Sequence, residues 1–575
     1  MTFLKQGISK MTSELGVLYS PTDSSLQNKF DHIIIGSGLG GLVCAAKLAL
    51  NGKKVIVLEQ HFQAGGCATT FKRGKDVYEV ALHEMDLGDK KTDGKHRIFK
   101  ELGIDKNITF VSSNSVWDIA DKENHYSIPH GLDNARNYLI EKFPHEEKGI
   151  RRYFKKIYNT ARCATTLPYN MGYFQFFFFP IVHSVHFTWP MIRKHTIGQW
   201  LDFYITDEKL KNVINTNIVY YSDNPYNMNL IYHAIPQCCY YQKAVQIQGG
   251  SGTLSNYLVS VIREHGGEVR LMADVTKIIL QDEHAKKPIC TGVSYFDRKT
   301  KTQVNVNLTK ISKSNKIVCN CAPDLVFGRM IPKLKNTFDE RSKRKAPAVS
   351  LFVIYFVCNA DLNTLFPNNA YSTFFSNDLS RPLSDLNLVA YEKIEERSFV
   401  FVDHSKVDSR LTASGRTFCN ITTAAYIQEW KDLTPDAYKL KKQEVADIYI
   451  NRLEEYYPGI KAVIDHIEVG TPNTMRRYTR SESGSLYGYN PDEFGSQHRM
   501  KNFHPMYKNL CFSSAWSFPG GGFTGAIICG DMTATKILDQ HILLKKIIFT
   551  VFCALVIAAV CTTLIEIPRI IEAVK

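Results

Sequence analysis

A glycine pattern between two short apolar runs constrains the fold more than any other feature of the sequence. Residues 30–35 form an apolar run typical of a buried parallel strand, and residues 39–50 have the apolar periodicity of a helix. Gly36, Gly38 and Gly41 have the G-x-G-x-x-G spacing across this junction. The pattern predicts a strand, a tight turn and a helix, which are the first parts of a βαβ unit.

A second apolar run, residues 55–58, completes the unit and ends in Glu59. We predict that Gly36 makes the tight turn, that Gly38 lets backbone N–H groups approach a pyrophosphate, and that Gly41 permits close packing of helix and strand. Glu59 is expected to bind ribose hydroxyls, while the helix N-terminus attracts phosphate. A glycine-rich turn without a ligand is the alternative, but the flanking elements and the acid favour a dinucleotide site.

The residues that follow Glu59 indicate which dinucleotide is bound. Gly65 and Gly66, with the CATTF segment after them, resemble the GG-x-x-x-T segment of FAD enzymes in the amine oxidase and phytoene desaturase superfamily. We interpret this segment as a second backbone cradle beside the flavin diphosphate and ribityl chain, with the hydroxyls of Thr69 and Thr70 as donors. The expected cofactor is therefore FAD. Relatives often carry Arg directly after the glycine pair, whereas this chain has Cys67, so no arginine contact is inferred.

Several segments together resemble the retinol saturase and carotenoid isomerase branch of the phytoene desaturase family of FAD-dependent oxidoreductases. They are residues 58–71, the glycine-opened helix and strands that begin at residue 249, residues 471–491 and residues 510–538. The resemblance covers the chain from about residue 30 to about residue 540. It implies that Val275 lies beside the adenosine half of FAD. It also implies that a turn with Gly521, Gly522 and Phe523 faces the flavin ring.

The sequence departs from the family pattern at two points where flavin and substrate are expected to meet. Relatives show Asp-x-Gly-x-His after the glycine pair, but here Glu79 and Ala81 replace the acid and the glycine before His83. Where relatives have Val-Gly-Ala before the closing turn, this chain has residues 513–515, SSA. His83 is the candidate for a catalytic side chain, with a hydrogen-bonded structural histidine as the alternative. The catalytic residue is otherwise left open.

We predict an α/β fold in which a discontinuous Rossmann-type FAD-binding domain is interleaved with an α+β substrate domain. A chain of 575 residues is too long for one core. The FAD-binding pieces are expected at 30–110, 245–330 and 480–540. The substrate pieces are expected at 111–244 and 331–479, where residues 350–357 have the character of a strand. A polar N-terminal tail, 1–29, and a C-terminal anchor, 541–575, complete the division.

The anchor prediction rests on residues 547–565, which are 19 residues without a charge. Such a run, as a helix, is long enough to cross a hydrocarbon core of about 30 Å. Residues 1–29 contain no apolar signal, so we expect a single-pass C-terminal membrane anchor with the catalytic domain facing the cytosol. A second apolar stretch, residues 171–192, is expected to form either the aromatic lip of a substrate tunnel or part of the substrate-domain core.

Charge and cysteine usage exclude some partners. The formal net charge of +14 is spread through the chain without an aromatic and basic nucleic-acid motif, so we expect an anionic membrane surface and no nucleic acid as partner. The 14 cysteines include no C-x-x-C pair, so no metal is predicted. We interpret the cysteines as reduced, mostly buried thiols.

The predicted function is that of a membrane-associated FAD-dependent oxidoreductase. The family implies a polyene isoprenoid lipid, carotenoid- or retinoid-like, that is desaturated, saturated or isomerised by hydride transfer at flavin N5. The direction and the electron acceptor or donor stay open. One alternative is a flavin amine oxidase, although the aromatic cage usual in that family's closing motif is not found here. The other is an escort protein of the GDP-dissociation-inhibitor type, which has little use for Glu59 or the glycine pair at 65–66.

Overall fold

The computed structural model describes residues 30–81, 83–165, 195–220, 222–312, 314–331, 346–385, 392–491, 499–505 and 507–539. Within these ranges the strands are β1 (His32–Ile35), β2 (Val55–Leu58), β3 (Thr70–Arg73), β4 (Asp76–Glu79), β5 (Met85–Asp86), β6 (Phe110–Val111), β7 (Ser115–Ala120), β8 (His125–Pro129), β9 (Ala244–Ile247), β10 (Glu268–Arg270), β11 (Ala273–Gln281), β12 (Ile289–Asp297), β13 (Thr302–Asn307), β14 (Lys316–Cys319), β15 (Ser350–Cys358), β16 (Ser372–Phe375), β17 (Phe399–Asp403), β18 (Thr417–Ala425), β19 (Ile464–Gly470) and β20 (Leu510–Phe512).

The helices are α1 (Leu39–Leu50), α2 (Lys95–Leu102), α3 (Ile104–Asn107), α4 (Leu132–Lys142), α5 (Glu147–Thr165), α6 (Ile197–Tyr204), α7 (Glu208–Asn215), α8 (Leu230–Gln242), α9 (Ser251–Glu264), α10 (Pro323–Leu325), α11 (Leu362–Leu365), α12 (Pro435–Tyr456), α13 (Ile460–Val463), α14 (Pro472–Thr479) and α15 (Gly522–Leu538). Short 3₁₀ turns lie at Pro144–Glu146, Thr216–Tyr220, Ile394–Glu396, His404–Lys406 and Ile427–Glu429, and a π turn lies at Val326–Met330.

A parallel five-stranded sheet carries the glycine pattern. Its strand order is β10-β2-β1-β14-β20, and every pairing in it is parallel. The four strands β2, β1, β14 and β20 are buried at every residue, which explains their short, continuous apolar sequences. Because parallel strands end at the same edge, the turns after β1, β2, β14 and β20 meet there.

Helices α1, α9 and α15 cover one face of this sheet through a shared apolar core. Small residues let the helices approach closely. A Cβ atom at Gly530 of α15 would lie 2.6 Å from the carbonyl oxygen of Gly40 in α1. Lys47 of α1 is the exception to the apolar contact, and its Nζ lies 2.6 Å from Oδ1 of Asp531 in α15.

A second, seven-stranded sheet has the order β19-β15-β18-β17-β16-β7-β8. Its pairings are antiparallel except for the parallel pair of β16 and β7. Helix α12 packs on one face through an apolar core that includes Tyr449 and Leu453. A further core joins helices α4 to α8 with β7, β16 and β17. Smaller sheets are β11-β12-β13, β3-β4 and β5-β9-β6.

The predicted α/β Rossmann-like architecture is present, but the predicted C-terminal transmembrane helix is corrected. No helix in the part of the chain that the structure describes combines the length and the apolar character that a bilayer crossing requires. The single-pass anchor and the membrane localisation derived from it are therefore not supported. An uncharged run fixes the hydropathy of a segment, whereas a span also requires a continuous helix. Residues 541–575, like the apolar stretch 171–192, lie outside the described residues.

Candidate functional site

A cavity of about 1610 Å³ lies between the carboxyl edge of the parallel sheet and the seven-stranded sheet. The turns after β1, β2, β14 and β20 line one end, and side chains of β15, β16, β17 and β18 line the other. A pocket that holds one drug-sized ligand measures about 300 to 1,000 Å³. The cavity therefore has room for a dinucleotide together with a second molecule.

The first glycine turn lies at one end of this cavity, where backbone takes the place of side chains. Gly36 has a φ of +96°, and a Cβ atom there would lie 2.7 Å from the carbonyl oxygen of Asn320. A Cβ atom at Gly38 would lie 2.6 Å from Oδ1 of the same asparagine. Gly38 is the N-cap of α1, and neither a capping side chain nor an acid in the first turn occupies the N-terminus. The first N–H groups of the helix can therefore bind an anion.

Gly41 has the packing role rather than a place in the cavity wall. A Cβ atom at Gly41 would lie only 2.4 Å from the carbonyl oxygen of Gly36.

Asn320, which fills the space beside all three glycines, was missed by the sequence interpretation. Its amide donates a hydrogen bond to the carbonyl of Ser513 and so joins the turn after β14 to the turn after β20. Only knowledge of the strand order reveals this contact.

Glu59 is buried and held in a fixed orientation at the end of β2. Its Oε2 accepts hydrogen bonds from the backbone N–H and the hydroxyl of Ser37, at 2.8 and 2.7 Å. Its Oε1 accepts one from the backbone N–H of His61, at 2.9 Å. A carboxylate has about four acceptor directions, so about one remains open for a ribose hydroxyl.

The second glycine pair contacts the first glycine turn directly. Gly65 bridges to Gly38 as in a parallel sheet, and its N–H donates to the carbonyl of Ser37 at 3.0 Å. Gly66 has a φ of +62°, and a Cβ atom there would lie 3.2 Å from the Cα atom of Gly38. Both glycines line the cavity, as does Cys67. The two motifs thus form one continuous backbone surface.

Of the remaining residues predicted to bind the nucleotide, one lines the cavity and two do not. Val275 of β11 is buried and lines the cavity, close to Glu59, whose carbonyl accepts a hydrogen bond from the N–H of Ala273 at 2.7 Å. Thr69 and Thr70 do not line the cavity; the hydroxyl of Thr69 accepts a hydrogen bond from a neighbouring glutamine amide at 2.9 Å.

The closing turn approaches the cavity from α15. Gly521 is the N-cap of this helix, again without a capping side chain or an acid in the first turn. A Cβ atom at Gly521 would lie 2.3 Å from the carbonyl oxygen of Tyr487, and Gly522 has a φ of +77°. Gly521, Gly522 and Phe523 all line the cavity. A second uncapped helix N-terminus therefore faces the same space as that of α1.

His83 lines the middle of the cavity. Its Nε2 lies 3.1 Å from the hydroxyl oxygen of Thr422, and Nδ1 has no hydrogen-bond partner among the described residues. Burial lowers the pKa of His83 to about 4, so the imidazole is neutral at physiological pH.

Glu79, in contrast, lies outside the cavity wall and caps α9. Its carboxylate accepts bonds from the N–H and the hydroxyl of Ser251, at 2.7 and 2.6 Å.

Glu84, beside His83, is a buried acid that the sequence interpretation did not identify as a site residue. It lines the cavity, and its Oε1 accepts a hydrogen bond from the hydroxyl of Tyr220 at 2.8 Å. Its Oε2 makes no hydrogen bond of normal length and angle to any described residue. Burial raises the pKa of Glu84 to about 8. The mixed polar and apolar sequence around it gave no sign that the side chain would face a cavity.

A nearby acidic cluster is already neutralised. Asp86, Asp93 and Cys239 bring three ligand atoms together, in the spacing of a metal site. The ammonium of Lys95 lies 2.9 Å from the Asp86 carboxylate and 2.8 Å from that of Asp93. Burial alone would lower the pKa of Lys95, but these two carboxylates raise it. The charge that a metal would supply is thus present in the chain.

Much of the wall at the other end of the cavity is apolar. Its wall includes side chains from the 3₁₀ turn before residue 221 and from three strands of the seven-stranded sheet: Ile218, Val219, Leu351, Val353, Phe374 and Val400. Such a wall favours a hydrophobic ligand over an amine or a sugar. The cavity thus joins an anion-binding glycine end to an apolar chamber.

This fold and this cavity define the class of protein, a Rossmann-like nucleotide-dependent oxidoreductase. The protein-family model of the NAD(P)-binding Rossmann-like domain matches residues 34–102 of this chain. The chain is 26% identical over 550 residues to the chloroplastic prolycopene isomerase of Arabidopsis thaliana, covering 90% of this chain and 84% of that protein. It is 24% identical over 553 residues to the all-trans-retinol 13,14-reductase of Danio rerio, covering 89% and 87%.

Solved structures share the fold. A triple mutant of putrescine oxidase superposes with a TM-score of 0.58 at 14% identity, over 89% of this chain and 99% of that one. An oxidoreductase from Methanosarcina mazei gives a TM-score of 0.55, also at 14% identity, over 88% and 100%. The predicted resemblance to the carotenoid isomerase and retinol saturase branch is confirmed, and so is the prediction that the chain is an enzyme of the oxidoreductase class. The fold implies a flavin or another nucleotide as cofactor.

Proposed function

We propose that this chain is an FAD-dependent oxidoreductase that acts on a polyene isoprenoid lipid of the carotenoid or retinoid type. The observation that carries the proposal is the single cavity that joins the glycine turns to an apolar chamber. Relatives named for a carotenoid and for a retinoid substrate, each over about nine tenths of the chain, support this choice.

The nucleotide end of the cavity fits FAD. The backbone at Gly36 and Gly38 leaves room for a pyrophosphate at the N-terminus of α1, and Glu59 has an acceptor direction left for a ribose hydroxyl. Gly521 opens a second helix whose N-terminus would stabilise negative charge on a reduced ring. FAD, when bound, supplies hydride transfer at its N5 atom. The chain's own residues orient the two partners and exclude water from them.

The apolar chamber fits a lipid substrate. Aliphatic and aromatic side chains line it, and it is large enough to hold a long ligand beside the nucleotide. Desaturation, saturation and isomerisation of a polyene all need the same placement of a carbon atom beside the flavin. The proposal therefore leaves the direction of the reaction to the experiment.

The first test is the absorption spectrum of the purified protein, followed by chromatography of the chromophore released on denaturation. We expect a flavin spectrum and the release of FAD. Polyenes in both oxidation states are then added without oxygen, and the flavin band is expected to bleach or recover. A folded protein that cannot be reconstituted with FAD would overturn the proposal, as would turnover of amines with peroxide release and no reaction with polyenes.

A variant pair tests the nucleotide end. Glu59→Ala removes the acid that Ser37 holds in place, and it is expected to weaken FAD binding by roughly 10- to 100-fold. A charge-assisted hydrogen bond is worth about 1.5–3 kcal/mol, which corresponds to a loss of this size. Glu264→Ala removes an exposed acid at the end of α9 and should leave FAD binding unchanged. Fluorescence titration of the apoprotein measures both affinities. Equal affinities in the two variants would contradict the assignment of Glu59.

A further inference from the structure

Glu84 lies in the cavity wall, and one of its carboxylate oxygens makes no hydrogen bond of normal geometry to a described residue. Oε1 accepts the hydrogen bond from Tyr220, whereas Oε2 has no partner of normal geometry within the described chain. The side chain is only 6% exposed to solvent. An open oxygen on a buried acid costs free energy unless a ligand uses it. Glu84 therefore offers a polar atom to whatever occupies the cavity.

Glu84 lies near the closing turn. Asp86, two residues after Glu84, connects the two, because its Oδ1 accepts a hydrogen bond from the hydroxyl of Thr524 in the first turn of α15. Tyr487 packs against the same turn, with its ring 3.5 Å from the place of a Cβ atom on Gly522. The open oxygen thus belongs to the part of the cavity where the proposed flavin and substrate would meet.

The groups that face Glu84 are hydroxyls, those of tyrosines and that of Ser372. Tyr220 donates to its carboxylate and Tyr240 to its backbone carbonyl. Burial raises the pKa values of Tyr371 and Tyr487, and a charge on Glu84 adds to both shifts. No cation among the described residues contributes to the pKa of Glu84. Burial is the largest influence, and the hydroxyls of Tyr220 and Ser372 offset part of it. The acid is accordingly neutral and carries a proton at pH 7.

The neighbours of Glu84 in the cavity are poor proton donors at that pH. His83 is neutral, because burial lowers its pKa to about 4. Burial raises the pKa of Cys67 to about 11 and that of Tyr487 well above its usual range. A donor works best when its pKa lies near the working pH, and Glu84 meets that condition.

We propose that the Glu84 carboxyl is the proton donor and acceptor of the reaction, acting through Oε2 on the polyene carbon next to the one that exchanges hydride. This assignment rests on the proposed function. In the saturating direction, Glu84 would give its proton to one carbon, and the other carbon would receive the hydride that reduced FAD, when bound, would supply. Two C–H bonds would replace the carbon–carbon π bond, FAD would be left oxidised, and the carboxylate would regain a proton from water. Desaturation runs the same transfers backwards.

The first test reads the protonation state of the acid and needs no turnover. Infrared spectra of the full protein are recorded from pH 6 to pH 10 and compared with those of Glu84→Gln. We expect a protonated carboxyl band in the wild type that disappears with a midpoint near pH 8, and no such band in the variant. A wild type without this band would overturn the proposal, because the acid would be ionised at neutral pH.

A second variant adds a direction to this test. Tyr220→Phe removes the hydroxyl that stabilises the carboxylate form, so the pKa of Glu84 should rise further. The infrared midpoint should move up by about one pH unit, since a hydrogen bond to a carboxylate exceeds one to a neutral acid by about 1 kcal/mol. The alkaline limit of the reaction should move by the same amount. A midpoint that stays in place would show that Tyr220 does not face the titrating group.

The last test separates this proposal from the proposed function. The reaction of reduced enzyme with a polyene is followed by the flavin absorbance, in ²H₂O. In the wild type we expect solvent deuterium at one carbon of the product. Glu84→Gln should slow the reaction by about 10²- to 10⁴-fold while FAD and polyene binding stay unchanged. Glu79→Gln, which alters the cap of α9, should change stability and not this rate.

The outcomes are distinct. If the wild type binds no FAD or reacts with no polyene, the proposed function fails. If the wild type reacts and Glu84→Gln reacts at the same rate, the function stands and Glu84 is not the proton donor.

Discussion

At Gly41 a side chain would need space that the carbonyl oxygen of Gly36 already fills. The distance from that oxygen to an added Cβ atom is 2.4 Å. Gly36 belongs to the turn and Gly41 to the helix, and separating their backbones would cost free energy. Gly38 and Gly40 meet similar obstacles at 2.6 Å. The glycines therefore have a measurable packing role that is independent of any ligand.

Replacing Gly41 by alanine is expected to lower the free energy of unfolding by about 1–3 kcal/mol, the usual cost of overpacking. Gly328→Ala is the matched control, because nothing lies within 4 Å of its added Cβ atom. Denaturant unfolding of both variants measures the difference. A Gly41→Ala protein as stable as the control would contradict the close approach of α1 to the turn.

The sequence predicted those site residues whose role follows from local chain geometry. The spacing of Gly36, Gly38 and Gly41 and the position of Glu59 after an apolar run needed no knowledge of distant segments. Asn320 and Glu84 could not be predicted in this way. Their roles depend on strand neighbours and cavity walls that the chain brings together from far apart. The assignment of residues to the cofactor stays a prediction.

At the scale of elements, a buried ion cluster fixes α1 against α15. Lys47 lies 2.6 Å from Asp531 and 2.9 Å from Glu101, and its side chain is 7% exposed. Asp531 is 1% exposed and also contacts Arg97 at 2.5 Å. Both charges of the closest pair are removed from water, so each depends on the other.

Lys47→Met is expected to destabilise the protein by about 3–5 kcal/mol, because Asp531 would stay buried with the half-exposed Arg97 as its remaining ion-pair partner among the described residues. Arg151→Met is the control, since it breaks an exposed pair with Glu147 and should cost at most about 0.5 kcal/mol. The shift in thermal unfolding temperature measures both. Similar shifts would mean that the cluster contributes little to joining the helices.

Periodicity predicted several elements at their observed positions. Helix 39–50, strand 55–58 and the strand near 350–357 are observed as α1, β2 and β15. The order of the seven-stranded sheet was not predictable, because β7 pairs with β16 across more than 250 residues. The transmembrane prediction is not supported at this scale, because no helix among the described residues is long and apolar enough to cross a membrane. The domain boundaries remain predictions.

For the whole molecule, buried histidines contribute to the way stability responds to acid. Burial lowers the pKa of His83 to about 4, and that of His233 and of His404 to about 3. In the unfolded chain these groups titrate near 6.5. Between pH 6.5 and about 4 the unfolded state therefore binds more protons than the folded state, and stability falls as pH falls.

Each such histidine contributes a slope of at most about 1.4 kcal/mol per pH unit in that window. We expect His404→Gln to reduce the pH dependence of the free energy of unfolding between pH 6.5 and 4 by about this amount. His284→Gln, at an exposed position, should leave the slope unchanged. Denaturant titrations at several pH values provide the measurement. Parallel curves for the wild type and His404→Gln would contradict the neutral burial of His404.

The parallel sheet takes its strands from three distant parts of the chain, and this has a consequence for the time course of synthesis. Strands β1 and β2 emerge first from the ribosome, whereas β20 and the turn at 520–522 emerge more than 450 residues later. A nascent chain can form the first glycine turn early, but it cannot close the cavity around any nucleotide until that late segment appears. A nucleotide can therefore be bound completely only near the end of translation or after it, and the first half of the chain is synthesised before this binding is possible.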